Sequence, residues 1–313
     1  MVSDITPLQQ RGQIYVDAIR GKAPLPARSP RADPRIGVAL GGGSARGLTH
    51  IPYLEALDEL GLTPSVVAGT SIGALIGAGW ASGMTARAIR EHAFDVLGTM
   101  RLIAGRLWST HVRGPFGIFQ NGLPMQLDAQ TVVDSFVPST FPGEFSGLKV
   151  PFYVVATDFQ SWDQVTFAQG PLKPAIAASI AIPGLFRPVN FADRLMVDGG
   201  VCNPLPLDQA APGADILIGI DVNGDASEIR KANPKFAEVW LGSAQIMMHH
   251  LIAHQLAAYP PDIYVRPHLP DVGVLEFWRV REILTHAEKE KDRFKRLVTA
   301  KVENFIAGAQ KSS

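Results

Sequence analysis

The sequence predicts an α/β fold with helices on both faces of a sheet, and three observations predict it. From residue 36 onward, short apolar runs alternate with stretches whose apolar residues recur at helical spacing. The first such series is a strand–helix–strand unit, which pairs its strands in parallel. The later apolar runs are short and bounded by turn residues, as buried strands are. At 313 residues, with 46% hydrophobic and 19% charged content, the chain has core enough for one large domain or two small ones.

Taken in order, Pro7, Pro24, Pro26, Pro30 and Pro34 mark residues 1–34 as a peripheral extension, with a short helix over Gln9–Arg20. Ile36–Leu40 reads as a strand, and Leu48–Leu60 as a helix with Ile51, Leu54, Leu57 and Leu60 on one face. Val66–Ala68 reads as the second strand, followed by a buried helix of small apolar residues through Ser82. Val150–Ala156, Arg194–Val197 and Ile216–Val222 read as further buried strands. Ala175–Ile182 and Pro204–Ala210 supply helical pieces between them.

Composition excludes some functions. Twenty-nine Lys and Arg against twenty-nine Asp and Glu leave no net charge, so no nucleic-acid partner is expected. The single Cys202 forms no internal disulfide, and the amino-terminal residues lack the continuous apolar run of a secretory signal. No run approaches the roughly 18 apolar residues of a spanning helix. A cytoplasmic protein is expected, with any membrane contact peripheral.

Three glycine-centred segments carry the chemistry. Gly41-Gly42-Gly43 follows the first strand directly and leads through Ser44-Ala45-Arg46-Gly47 into a helix, so its backbone N–H groups form an anion cradle. A dinucleotide site is the rival reading, but the spacing of Gly41, Gly43 and Gly47 misses that fingerprint by one residue, and no carboxylate ends the next strand. Gly69-Thr70-Ser71-Ile72-Gly73 places a serine at a sharp strand-to-helix turn, which needs small neighbours and exposes the hydroxyl. Ser71 is then a nucleophile, with the N–H groups of Gly42, Gly43 and Ile72 around a developing oxyanion, unless it merely caps the helix. Asp198-Gly199-Gly200 follows an apolar strand end and reads either as an ordinary turn or as the carboxylate serving the serine.

In that order and combination, the three segments resemble the patatin-like phospholipases. Ala178-Ser179 through Pro183-Gly184, and Asn203-Pro204, are similar to further family blocks, so the resemblance covers about Ile36 to Val222. One departure is Ser44, where many members have a fourth glycine; its N–H remains a donor. The resemblance implies a three-layer α/β/α sandwich with a mostly parallel sheet and a catalytic domain over 35–225; it does not reach the carboxyl-terminal third, where residues 226–313 are expected to form a helical region packed on or extending that domain. It implies a Ser–Asp dyad of Ser71 and Asp198 acting through an acyl-enzyme, without metal or cofactor, on phospholipid, lysophospholipid or other fatty-acyl esters. Arg46 is expected to brace the loop rather than bind a lipid phosphate.

Other readings stay open beside this one. His249, His250 and His254 follow Ser71 and Asp198 in the chain order of a Ser–His–Asp esterase, with Asp158 as the acid, although all three fall in an apparent helix over Phe236–Ala258. A lipid-binding protein without catalysis is a further alternative. His250 and His254 have metal-ligand spacing but lack the accompanying glutamate, and His50 reads as structural. Arg101–Leu123 has the composition of an apolar covering over an acyl groove. Arg279–Glu303 is an amphipathic helix with three more basic than acidic side chains, to be docked on its own domain or on a bilayer.

Overall fold

The computed structural model describes residues 33–111, 119–120, 123–124, 126–224, 236–269, 272–273 and 275–312. The expected extension and its Gln9–Arg20 helix therefore lie outside the described residues but for positions 33 and 34. The same holds for 112–118 and 121–122 of the expected covering, which is helical through His111.

Ten strands and eight α-helices are described. The strands are β1 (Ile36–Leu40), β2 (Val66–Thr70), β3 (Phe119–Gln120), β4 (Leu123–Pro124), β5 (Phe152–Asp158), β6 (Gln164–Phe167), β7 (Val189–Phe191), β8 (Arg194–Asp198), β9 (Ile216–Ile220) and β10 (Ile263–Val265). The helices are α1 (His50–Glu59), α2 (Ile72–Ala81), α3 (Ala86–His111), α4 (Ala129–Phe136), α5 (Leu172–Ser179), α6 (Leu207–Ala210), α7 (Phe236–Ala258) and α8 (Val280–Ser312). β3 and β4 form a separate ribbon. The other strands make one sheet in the order β10-β9-β1-β2-β5-β8-β7, with β6 also on β5. The first five in that order run parallel; β6 and β8 pair antiparallel with β5, and β7 pairs antiparallel with β8.

Period-two alternation sorts the strand residues between two cores. Ile36, Val38 and Leu40, Val67, and Ile216, Ile218 and Ile220 face the larger core. Ala39, Ala68 and Leu217 face a smaller one shared with Leu205, Leu207 and Ile252 of the α6–α7 side. Both faces of the parallel strands are thus covered, which is the predicted sandwich.

Two boundaries differ from the sequence expectation. The glycine loop leads first into a 3-10 helix, Ser44–Thr49, and the α-helix begins only at His50. The amphipathic helix runs to Ser312, and its apolar Ile283, Leu284, Phe294 and Val298 are buried rather than turned outward.

One feature of β5 positions the site. Val155 pairs with Thr70 of β2, and the next residue, Ala156, pairs with Asp198 of β8. β5 therefore holds the ends of two strands, Thr70 and Asp198, at adjacent register positions although they lie far apart in sequence.

Candidate active site

Ser71 stands between β2 and α2 with φ 56 and ψ −124, a left-handed conformation that a side chain adopts only when its surroundings hold it there. Its neighbours explain how. A Cβ on Gly69 would lie 2.5 Å from Gly73 O, and one on Gly73 would lie 2.2 Å from Leu40 O, so neither position admits a larger residue. The backbone N–H of Ser71 donates to Ser179 Oγ at 2.8 Å, and Ser179 Oγ donates in turn to Val155 O at 2.6 Å. Thr70 Oγ1 adds a bond to Asn203 O at 2.8 Å.

The Ser71 hydroxyl donates to Asp198 Oδ2 at 2.6 Å, and Asp198 Oδ1 accepts the N–H of Gly200 at 2.7 Å. Both residues are almost wholly enclosed, 5% and 6% exposed. Burial pushes the Asp198 carboxyl up to about 6, against the opposing pull of its bonds from Ser71 and Gly200. Thr157 Oγ1 fixes the Asp198 backbone through its carbonyl at 3.0 Å.

Over this pair passes the glycine loop. Gly42 was expected to offer its N–H to an oxyanion, and here the geometry corrects the sequence reading: that N–H donates to Pro204 O at 2.9 Å. What Gly42 supplies instead is room, because a Cβ there would meet Ser71 Cβ at 3.3 Å. Gly41 N–H is likewise taken, by Ile220 O at 3.0 Å. Among the described residues no acceptor takes the N–H of Gly43, Ser44 or Ile72, and Ser44 and Ile72 both stand at helix starts. Ser44 has φ 50, the conformation that favours glycine at this position.

Two buried side chains hold the loop. Arg46 is a brace: its Nη1 donates to Asn223 O at 3.0 Å and its Nε to Val272 O at 3.2 Å. His50 is wholly buried, with Nε2 2.9 Å from Gly41 O and, among the described residues, no partner for Nδ1. Gly41 O is an acceptor, so Nε2 carries the proton, and burial pushes the imidazole down to about 4. The histidines of the triad reading are not brought to the serine. His249, His250 and His254 are exposed on α7, and Asp158 accepts the N–H of Gln160 and pairs with Arg194.

Two cavities open on Ser44 and Ser71. One, of about 350 Å³, is walled by Leu75, Phe136, Ile180, Phe186, Leu275 and Phe277. The other, of about 180 Å³, is bounded by Asp198, Asn223 and the α7 residues Met247, Met248 and Leu251. These walls, and the bracing roles of Ser179, Thr157 and Asn203, were not assigned from sequence; only Ala178-Ser179 and Asn203-Pro204, noted as family-like blocks, pointed toward them.

Fold and elbow together define an α/β protein built round a strand–serine–helix turn, its hydroxyl bonded to a carboxylate. A family model for patatin-like phospholipases matches residues 38–211, and the chain belongs to that family. An uncharacterised NTE family protein of Mycobacterium bovis is 33% identical over 223 residues, 67% of this chain and 55% of that protein. The lysophospholipase NTE1 of Pyricularia oryzae is 25% identical over 80% of this chain and 18% of its own length. The chain thus spans about half the length of the mycobacterial relative and less of the other. Among solved structures, VipD from Legionella pneumophila aligns over 85% of this chain and 67% of its own, at 13% identity and a TM-score of 0.44.

Proposed function

We propose that the chain is a lipid acyl hydrolase that cleaves carboxylic esters of phospholipid, lysophospholipid or similar fatty-acyl lipids through Ser71 and Asp198. The observation that carries this reading is the 2.6 Å contact of a strained serine hydroxyl with a buried carboxylate, at the end of an apolar cavity. Family membership and the lysophospholipase name of one relative support it.

With the acyl chain in the larger cavity, Ser71 Oγ attacks the ester carbonyl carbon while its proton passes to Asp198 Oδ2. The oxyanion is received by the N–H groups of Gly43, Ser44 and Ile72, for which no other acceptor stands among the described residues. The tetrahedral intermediate collapses, Asp198 returns the proton to the departing alkoxide, and the acyl group stays on Ser71. Water then gives a proton to Asp198 and its oxygen to the acyl carbon, releasing the fatty acid and restoring the hydroxyl. A carboxyl with a pKa of about 6 is a stronger base than an ordinary aspartate and is ionised at neutral pH. Leu127, Leu275 and Trp278, apolar and exposed beside the larger cavity, fit peripheral contact with a lipid surface.

The test is labelling by a fluorophosphonate together with product identification on a panel of phospholipid, lysolipid and triglyceride. Wild-type protein is expected to label and to release fatty acid, Ser71→Ala to do neither, and Asp198→Asn to lose about three orders of magnitude in kcat. Wild-type kcat/KM is expected to rise with pH and level off above about 6. Lipid binding without turnover of any activated ester by the wild type overturns the hydrolase reading in favour of a binding protein.

A further inference from the structure

Behind the larger cavity, further from Ser71, lies a chamber of about 60 Å³. Five residues, Ile72, Leu75, Leu97, Phe136 and Phe277, belong to the walls of both spaces, so together they form the partition between them. The two spaces follow one another along α2. Ser71, Ile72 and Leu75 border the front cavity, whereas Ile76 and Gly79 border only the chamber. At about 1.5 Å per residue the front cavity reaches about 6 Å along α2 to Leu75, and the chamber carries the path to about 12 Å at Gly79.

Building on the acyl-hydrolase reading, we propose that the chamber is a distal subsite for the methyl end of a fatty-acyl chain, closed by Phe136 and thereby limiting the chain length accepted. Apart from His92, the side chains of the chamber are apolar, as a hydrocarbon ligand requires. His92 itself is engaged: its Nε2 lies 2.6 Å from Phe136 O, at the last residue of α4, and pins the partition to α3. Removing the Phe136 ring joins the two spaces and lengthens the groove by about one helical turn, enough for about four more methylenes. Gly79 offers the reverse change. A Cβ there meets Ile89 Cδ1 at 3.4 Å and Met84 Sδ at 3.9 Å, ordinary contacts, so Gly79→Ala narrows the chamber without a clash.

The experiment compares kcat/KM for hexadecanoyl and octanoyl p-nitrophenyl esters. In Phe136→Ala the hexadecanoyl-to-octanoyl ratio is expected to rise roughly tenfold or more. Phe136→Leu, a smaller change of volume, is expected to move it the same way by less, and keeps the test open if the alanine variant fails to fold. Adding Gly79→Ala to either is expected to pull the ratio back toward wild type. A ratio unchanged in a variant that still labels with fluorophosphonate overturns the distal subsite and leaves the hydrolase reading intact. If the wild type neither labels nor turns over ester, the hydrolase reading fails separately. The same pair of free fatty acids, competing with a fluorescent fatty acid, then decides the subsite: a gain for hexadecanoate in Phe136→Ala sustains it, and equal competition overturns it.

Discussion

Asp198, which shares a cavity wall with Gly42 and Gly43, and His50, bonded to Gly41 O, are both buried, and their environments pull on stability in opposite senses. The Asp198 carboxyl, raised from 3.8 to about 6, holds its proton more tightly in the folded chain than in the unfolded one. Its contribution therefore favours folding below about pH 4 and is lost as pH rises through 6. His50, lowered from 6.5 to about 4, resists protonation when folded, so stability is lost as pH falls below 6.5. Between pH 7 and 5 the two changes are each about 1–2 kcal/mol and largely cancel. Asp198→Asn removes one of them. Its amide still accepts the Gly200 N–H, so the variant is expected to gain on the order of 2 kcal/mol at pH 8. The same variant is expected to lose about 2 kcal/mol between pH 7 and 5, where the wild type stays within about 1. Urea unfolding at the three pH values checks this, and equal acid sensitivity in both proteins contradicts it. Ser71 and Asp198 were legible because each sits in a short local pattern. The loss of Gly42 as a donor was not, because its partner, the Pro204 carbonyl, comes from a loop that only the folded sheet brings near.

Among the elements, α8 is joined to the core by a seam that combines apolar and ionic contacts. Phe294, 1% exposed, meets Tyr53 of α1 edge-on, with ring centroids 5.0 Å apart. Beside it Lys291 pairs with Glu55, Glu59 and Glu288, and Arg90 of α3 pairs with Glu55 and Glu288. Such a network fixes where the helix lies, but Lys291 and Glu55 are themselves nearly enclosed, so the cost of desolvating their charges offsets much of their attraction and the packed ring carries more of the energy. Phe294→Ala is expected to destabilise the protein by about 3–4 kcal/mol, read from the midpoint of urea unfolding. A change under about 1 kcal/mol contradicts an integral α8. Elements with strong apolar runs, such as β1, β2 and β9, or with apolar residues at helical spacing, such as α8, were legible. β6, β7 and β10 were not: they are four, three and three residues long, and pairing with β5, β8 and β9 rather than their own sequence makes them strands. The 3-10 helix before α1 escaped for a different reason, since its six residues carry only Ala45 and Leu48 as apolar side chains, too few to show a period.

For the molecule as a whole, the distribution of exposed apolar residues decides how the site meets its substrate. Leu127, Leu275 and Trp278 on the larger cavity, and Val201 and Met247 on the smaller, are between 38% and 62% exposed. Trp240 and Ile246 on α7, 55% and 58% exposed, extend this apolar rim without lining either cavity. From Val239 to Ala258 that helix contains no Asp, Glu, Lys or Arg, although a solvent face is normally charged. Among the described residues no helix is long and apolar enough to cross a membrane. With no net charge on the chain, the peripheral lipid contact proposed above would draw on the rim's apolar area and its indoles, which favour the interface between headgroup and hydrocarbon. The helix over Phe236–Ala258 was legible in the sequence, but not which of its residues point outward, because that depends on where α6 and the sheet cover it. Phosphatidylcholine vesicles therefore separate two accounts of the rim. If it docks on lipid, cosedimentation of the wild type persists at high salt, and Trp240→Ser with Ile246→Ser lowers it by roughly five- to tenfold. Hydrolysis of a soluble octanoyl ester should stay unchanged in that double variant, since neither side chain borders the cavities at Ser71. Equal vesicle binding by both proteins, or binding abolished by salt, rules out an apolar docking face and leaves substrate to reach the site from solution.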